Sequence, residues 1–187
     1  MNTALWALGR GTGVVALVLF TVSLILGIVA RSGRAVPMLG RFGTSDLHRT
    51  AALTGTGLVV VHVGALYLDP YAQLRLVDLM LPFLGAYKPL WLGLGTLALD
   101  LLGVITVVSL LRHRVGPRAF RAVHWATYAL WPVAVLHALG NGTDAGSGWF
   151  RALAVVCIGV VVAAIGWRLA PSYANRGWAR APRRTGA

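Results

Sequence analysis

Apolar runs of near-membrane length alternate with shorter polar connections along this chain. The runs lie near 12–30, 48–68, 90–111, 120–139 and 151–170, each close to the roughly 20 residues a helix needs to cross a bilayer. Lipid offers the backbone no hydrogen-bond partners, so the runs are predicted to be helices. The pattern predicts an all-α, polytopic membrane bundle of about five transmembrane helices. It forms a single membrane domain over residues 1–187, with its core at 12–170 and a basic tail at 171–187. The 69–89 connection, DPYAQLRLVDLMLPFLGAYKP, is too long for a turn and too interrupted by charge and proline to span. It predicts a short interfacial helix at the outer mouth. The first run, GVVALVLFTVSLILGIVA, is longer than the apolar part of a signal peptide, and its stronger positive charge follows it. It is therefore expected to remain as a helix.

Composition supports the membrane assignment. Of the 187 residues 57% are apolar and 12% charged, with a mean hydropathy of +0.73, which excludes an ordinary soluble domain. The net charge of +12 raises the question of a nucleic-acid partner, and the positions of the charges answer it. Arg31, Arg34, Arg41 and Arg49 follow the first run, Arg112, Arg114, Arg118 and Arg121 the third, and Arg168, Arg176, Arg180, Arg183 and Arg184 the fifth. The other connections carry few basic residues. This alternation follows the positive-inside rule and predicts an outer N-terminus and a cytoplasmic C-terminus in the plasma membrane. The partner of the charge is then the lipid headgroup and not nucleic acid. Cys157, the single cysteine, lies inside the fifth run and reads as a small packed residue.

Two of the runs carry histidines at both ends. HRTAALTGTGLVVVH runs from His48 to His62, and HWATYALWPVAVLH from His124 to His137, separations of 14 and 13 residues. Each pair therefore spans roughly 20 Å of helix. One crossing separates the two runs, so they are parallel. His48 and His124 then share an inner level, and His62 and His137 an outer one. Two facing imidazoles per level suit the two axial positions of a haem iron, whereas zinc or copper usually take three or four clustered ligands. The residues point to two b-type haems, an inner one on His48/His124 and an outer one on His62/His137. Rotation is less uniform: 14 residues end about 40° short of four turns and 13 residues about 140° short, so the second pair needs a distorted helix, expected at Pro132.

Other polar and small residues leave alternatives open. Arg49 and Arg121, beside the inner histidines, are candidates for binding the haem propionates, or set topology by charge alone. Arg75 and Lys88 are the basic residues of the outer mouth. Gly55, Gly57, Ala126, Ala129 and Ala134 suit either close approach of a planar ligand or helix packing. Asp100, mid-run, reads as a buried hydrogen-bonding group that fixes packing, with proton or quinone handling as the alternative. His113, in LLRHRVGPR, reads as a solvated loop residue. Trp91, Trp149 and Tyr87 read as interfacial anchors.

With LYLDPYAQ, YKPLWLGLGTLALDLL and RAFRAVHWATYALWPVAVLHALGNGTDA, the four-histidine frame resembles the ferric-reductase-like transmembrane domain family over about residues 45–170. It is most similar to stand-alone actinobacterial members. That family includes the haem core of NADPH oxidases and the haem subunit of a periplasmic methionine sulfoxide reductase. The resemblance implies that His48, His62, His124 and His137 ligate two haems. It also implies a di-haem cytochrome that carries electrons across the membrane between separate proteins or small carriers. Only 17 residues follow Ala170, without a Gly-rich dinucleotide fingerprint, so flavin is expected only through a partner. The chain is thus expected to be an electron-transfer oxidoreductase subunit with no catalytic side chain of its own. A cytoplasmic reductase or a quinol would be the donor and an external redox protein or carrier the acceptor. The alternatives are a quinol-oxidising subunit and a haem-free transport or structural subunit.

Overall fold

The computed structural model describes residues 3–33, 40–170 and 173. The arginines of the expected basic tail, Arg176, Arg180, Arg183 and Arg184, lie outside them, as does Arg34. In chain order the helices are α1 (Thr3–Arg31), α2 (Gly40–Leu68), α3 (Leu76–Met80), α4 (Pro89–Leu110), α5 (Arg112–Trp125), α6 (Thr127–Asn141) and α7 (Gly148–Leu169). The described residues contain no strand, and the molecule is a helical membrane bundle. Four helices are individually long and apolar enough to cross a membrane: α1, α2 from Phe42 onward, α4 and α7. The remaining expected crossing is divided between α5 and α6.

Local sequence explains the boundaries. Pro89 opens α4 in its first turn, where a missing N–H leaves no helical bond unmade. Between α5 and α6 the amide of Ala126 donates to the Val123 carbonyl at 2.9 Å, and the amide of Ala129 to the Ala126 carbonyl at 3.0 Å. These three-residue bonds wind the chain by about 120° per residue instead of about 100°. The irregularity between His124 and His137 therefore lies at Ala126, whereas Pro132, where it was expected, lies inside α6. A tighter winding there adds rotation and so recovers part of the shortfall in the 13-residue spacing.

Helix α1 packs along α2, α4 packs along α6, and α1 also touches α6 and α7. The main core joins Leu17, Trp131, Val135, Cys157 and Val161, so Cys157 is the buried packing residue its sequence position implies. A polar link crosses this core: the Trp131 indole N–H donates to Thr21 Oγ1 at 3.0 Å, and the Thr21 hydroxyl donates to the Leu17 carbonyl at 2.8 Å. Both groups are thereby satisfied away from water. Gly55 resolves to the packing alternative, because a methyl group there would lie 3.1 Å from the Phe20 ring, while Gly57 faces open space.

The 69–89 connection contains the expected short helix. Its Asp78 carboxylate accepts from the Arg75 backbone N–H at 3.0 Å and pairs with the Arg75 guanidinium at 2.9 Å. The Thr96 hydroxyl donates to the Asp78 carbonyl at 2.6 Å, tying α3 to α4. Hydrogen bonding to the Arg75 side chain, then to its backbone amide, holds the Asp78 carboxyl below the usual carboxylate range. Tyr87 and Trp149 are exposed, as expected of interfacial anchors. Trp91 is not: a methyl on Gly140 would lie 2.0 Å from its ring, so its indole lies against α6.

Candidate functional site

The helix pairs α1/α2 and α4/α6 enclose a cavity of about 2230 Å³, lined by His48, His62, His124 and His137. A typical small-molecule pocket measures roughly 300–1,000 Å³, so this space accommodates more than one such group. The histidines sit near its two ends. The rings of His48 and His124 lie 6.1 Å apart between centroids and are nearly perpendicular, at 79°. His62 and His137 line the same cavity at the other end.

Three of the four imidazoles are oriented by main-chain carbonyls. His62 Nδ1 donates to the Gly9 carbonyl at 2.6 Å, His48 Nδ1 to the Ser23 carbonyl at 2.8 Å, and His137 Nδ1 to the Trp91 carbonyl at 2.8 Å. A carbonyl can only accept, so the proton of each neutral ring sits on Nδ1 and the Nε2 lone pair is free to bind a metal. Such outer partners are what ligating histidines ordinarily have. The fourth, His124, differs: its Nδ1 is buried without a hydrogen-bond partner among the described residues, and its ring stacks on Phe120 at 5.2 Å and 24°.

Glycines give three rings their room. A methyl on Gly13 would lie 2.8 Å from His62 Nδ1, one on Gly27 3.2 Å from His48 Cε1, and one on Gly95 2.5 Å from His137 Cε1. The side-chain pattern that identified the histidines gives no hint of Gly9, Gly13, Gly27, Ser23, Trp91 or Gly95. The one visible signal is that each lies in or just before an apolar run that packs beside a histidine-bearing helix.

Charge is sorted between the ends. Arg31, Arg49, Arg112, Arg121 and Arg168 line the cavity toward His48 and His124, with Asp46 and His113 among them. His113 belongs to α5 and lines the mouth, so it is not the loop residue that its sequence suggested, although it is exposed. Arg121 Nε donates to the Pro117 carbonyl at 3.1 Å, leaving the rest of its guanidinium fork available. Arg168 hydrogen-bonds to Tyr128 and lies 4.7 Å from the centroid of Trp125. At the opposite end the basic groups have partners within the chain: Arg10 pairs with Asp144, Arg75 with Asp78, and Lys88 Nζ donates to the Gly140 carbonyl at 3.3 Å.

Asp100 departs from expectation. Its side chain is exposed and absent from the cavity lining, and it has no hydrogen bond or ion pair among the described residues. Its position on the outward face of α4 rules out the expected buried hydrogen bond and removes it from the histidine site.

Among the described residues no group of three or more His, Cys, Asp or Glu side chains is placed to hold a metal by itself. Two imidazoles per end fit an ion whose other ligands come from a macrocycle. Residues 12–135, more than half of the chain, match the family model described as ferric reductase like transmembrane component. No curated protein and no solved structure gave a significant match.

Proposed function

Since the chain belongs to the ferric reductase like transmembrane family, which suggests a transmembrane redox role, we propose that it is a di-haem b-type cytochrome. In this reading it passes electrons across the plasma membrane between separate partners. His48 and His124 would hold one haem, and His62 and His137 the other. The observation that carries the proposal is the set of three Nδ1–carbonyl hydrogen bonds, which leave three Nε2 atoms unprotonated inside one cavity. The 6.1 Å separation of the His48 and His124 rings is of the order that two metal–imidazole bonds of about 2 Å, with half a ring at either side, require. When bound, haem supplies the one-electron chemistry of its iron.

The chain's own residues do the positioning. The carbonyls of Gly9, Ser23 and Trp91 hold the ring protons on Nδ1 and prevent rotation. Apolar side chains such as Phe20, Leu24 and Leu102 line the cavity between the ends and keep water from it. Arg49 and Arg121, at the mouth beside His48 and His124, are the proposed partners of that haem's propionates. The arginine-rich end suits an anionic donor such as a flavin-bearing reductase. A quinol donor remains the second candidate, with its site in the cavity and not at Asp100. Flavin would enter only through a partner.

A reduced-minus-oxidised visible spectrum of the purified protein tests the proposal. Bands of b-type haem at about two haems per chain support it. A colourless protein from haem-replete cells would leave a haem-free transport or structural role.

A further inference from the structure

We propose that His124 is the exchangeable histidine, and that the His48/His124 end is consequently a binding site for a small neutral ligand of ferrous iron, of which carbon monoxide is the probe. The inference rests on the di-haem reading above.

The first observation is the asymmetry of the outer hydrogen bonds. His48, His62 and His137 each donate Nδ1–H to a main-chain carbonyl, whereas the buried Nδ1 of His124 donates to nothing among the described residues. An Nδ1 partner fixes the tautomer and raises the basicity of Nε2, and losing such a partner typically weakens metal binding by about 10–100-fold. The Phe120 stack restrains the plane of the His124 ring, but it does not polarise the N–H.

The second observation is independent of the ring. His48, His62 and His137 stand on continuous stretches of α2 and α6. His124 is the penultimate residue of α5, a helix that buries none of its residues. On one side of it the chain departs from helix at Gly116, with φ 78° and ψ 162°. On the other, the Ala126 irregularity interrupts the regular ladder. The piece from Pro117 to Trp125 is thus bounded by two irregularities and lightly packed. Moving His124 away from the cavity centre displaces only this short piece, none of whose residues is buried.

The exchange is balanced without a redox partner. The Nε2–iron bond breaks as the ligand–iron bond forms; each donor brings one electron pair, and the imidazole leaves neutral. Weaker donation from His124 also favours ferrous over ferric iron, so the same site should have the higher midpoint potential of the two.

The test uses the full chain with its haem content measured first. With dithionite and carbon monoxide, half of the b-type absorbance should convert to the carbonyl form. The His62→Ala/His137→Ala protein, which keeps only the His48/His124 site, should convert fully, and the His48→Ala/His124→Ala protein not at all. Conversion of both sites, of neither, or of the His62/His137 site alone overturns the proposal. Should the double variants not retain haem, Phe120→Leu in the otherwise native chain decides. Removing the stack should raise carbon monoxide affinity several-fold at unchanged haem content, and an unchanged affinity overturns the proposal. A haem-free native protein would overturn the di-haem reading itself, whereas a two-haem protein that refuses carbon monoxide overturns this inference alone.

Discussion

The Nδ1 atom of His62 lies 2.6 Å from the carbonyl oxygen of Gly9, 53 residues earlier in the chain. The bond joins α1 to α2 and aims Nε2 away from α1. Gly13, one turn further along α1, leaves the space the ring occupies. Helix α1 carries no histidine, yet it sets the tautomer and pose of the two on α2 through Gly9 and Ser23.

Filling that space should damage the site. In Gly13→Ala and Gly95→Ala the added methyl meets an imidazole at 2.8 and 2.5 Å. Each variant should lose haem from the His62/His137 end and about 1–3 kcal/mol of stability through overpacking. Gly57→Ala, where a methyl meets nothing within 4 Å, should stabilise α2 by up to about 1 kcal/mol. Haem-to-protein ratio and thermal unfolding of the three variants provide the measurement.

Haem content should depend on four histidines and not on the fifth. Alanine at His48, His62, His124 or His137 would remove one of the two proposed haem-binding imidazoles at its end and should lower bound haem by about half or more. His113→Ala should leave it unchanged, because His113 lies at the exposed mouth. Full occupancy in both His48→Ala and His62→Ala would contradict the ligand assignment.

Asp100→Asn should leave haem content and visible spectrum as they are, since the carboxyl is exposed on α4 and does not line the cavity. A shifted spectrum would mean that this face of α4 communicates with the histidine-lined cavity.

The Arg75–Asp78 link should give α3 an acid transition. The folded-state pKa of Asp78 is depressed, so its contribution is fully present above the unfolded carboxylate value of about 3.9 and is lost as pH falls through the lower folded value. A spin label at the exposed Met80 should report no change between about pH 7 and pH 5 and loosening only in stronger acid. In Asp78→Asn the label should be looser already at neutral pH, with the acid step gone.

The arginines predict the orientation in the membrane. Cysteine-labelling reagents confined to the outside should reach a cysteine placed at Ala145 and not one placed at Arg114, because the 112–118 segment is rich in arginine and the 140–150 segment is not. The opposite pattern would exchange the inner and outer labels of the two histidine levels.

The sequence by itself determined the membrane class, the helical architecture and the two histidine pairs. Hydropathy sums over adjacent residues, and the 14- and 13-residue separations convert to depth at a fixed rise per residue. The short helix before α4 and the packed Cys157 were legible for the same local reasons. Only the tertiary structure decided what orients the histidines. Every residue carries a carbonyl, so nothing in the side-chain pattern marks those of Gly9, Ser23 and Trp91 as acceptors until helix packing brings them to an imidazole. Nor does sequence periodicity fix the rotation of a helix about its axis. Neighbouring helices do, and they turned Asp100 outward, set Gly55 against Phe20 and left His124 Nδ1 without, among the described residues, the partner that the other three possess.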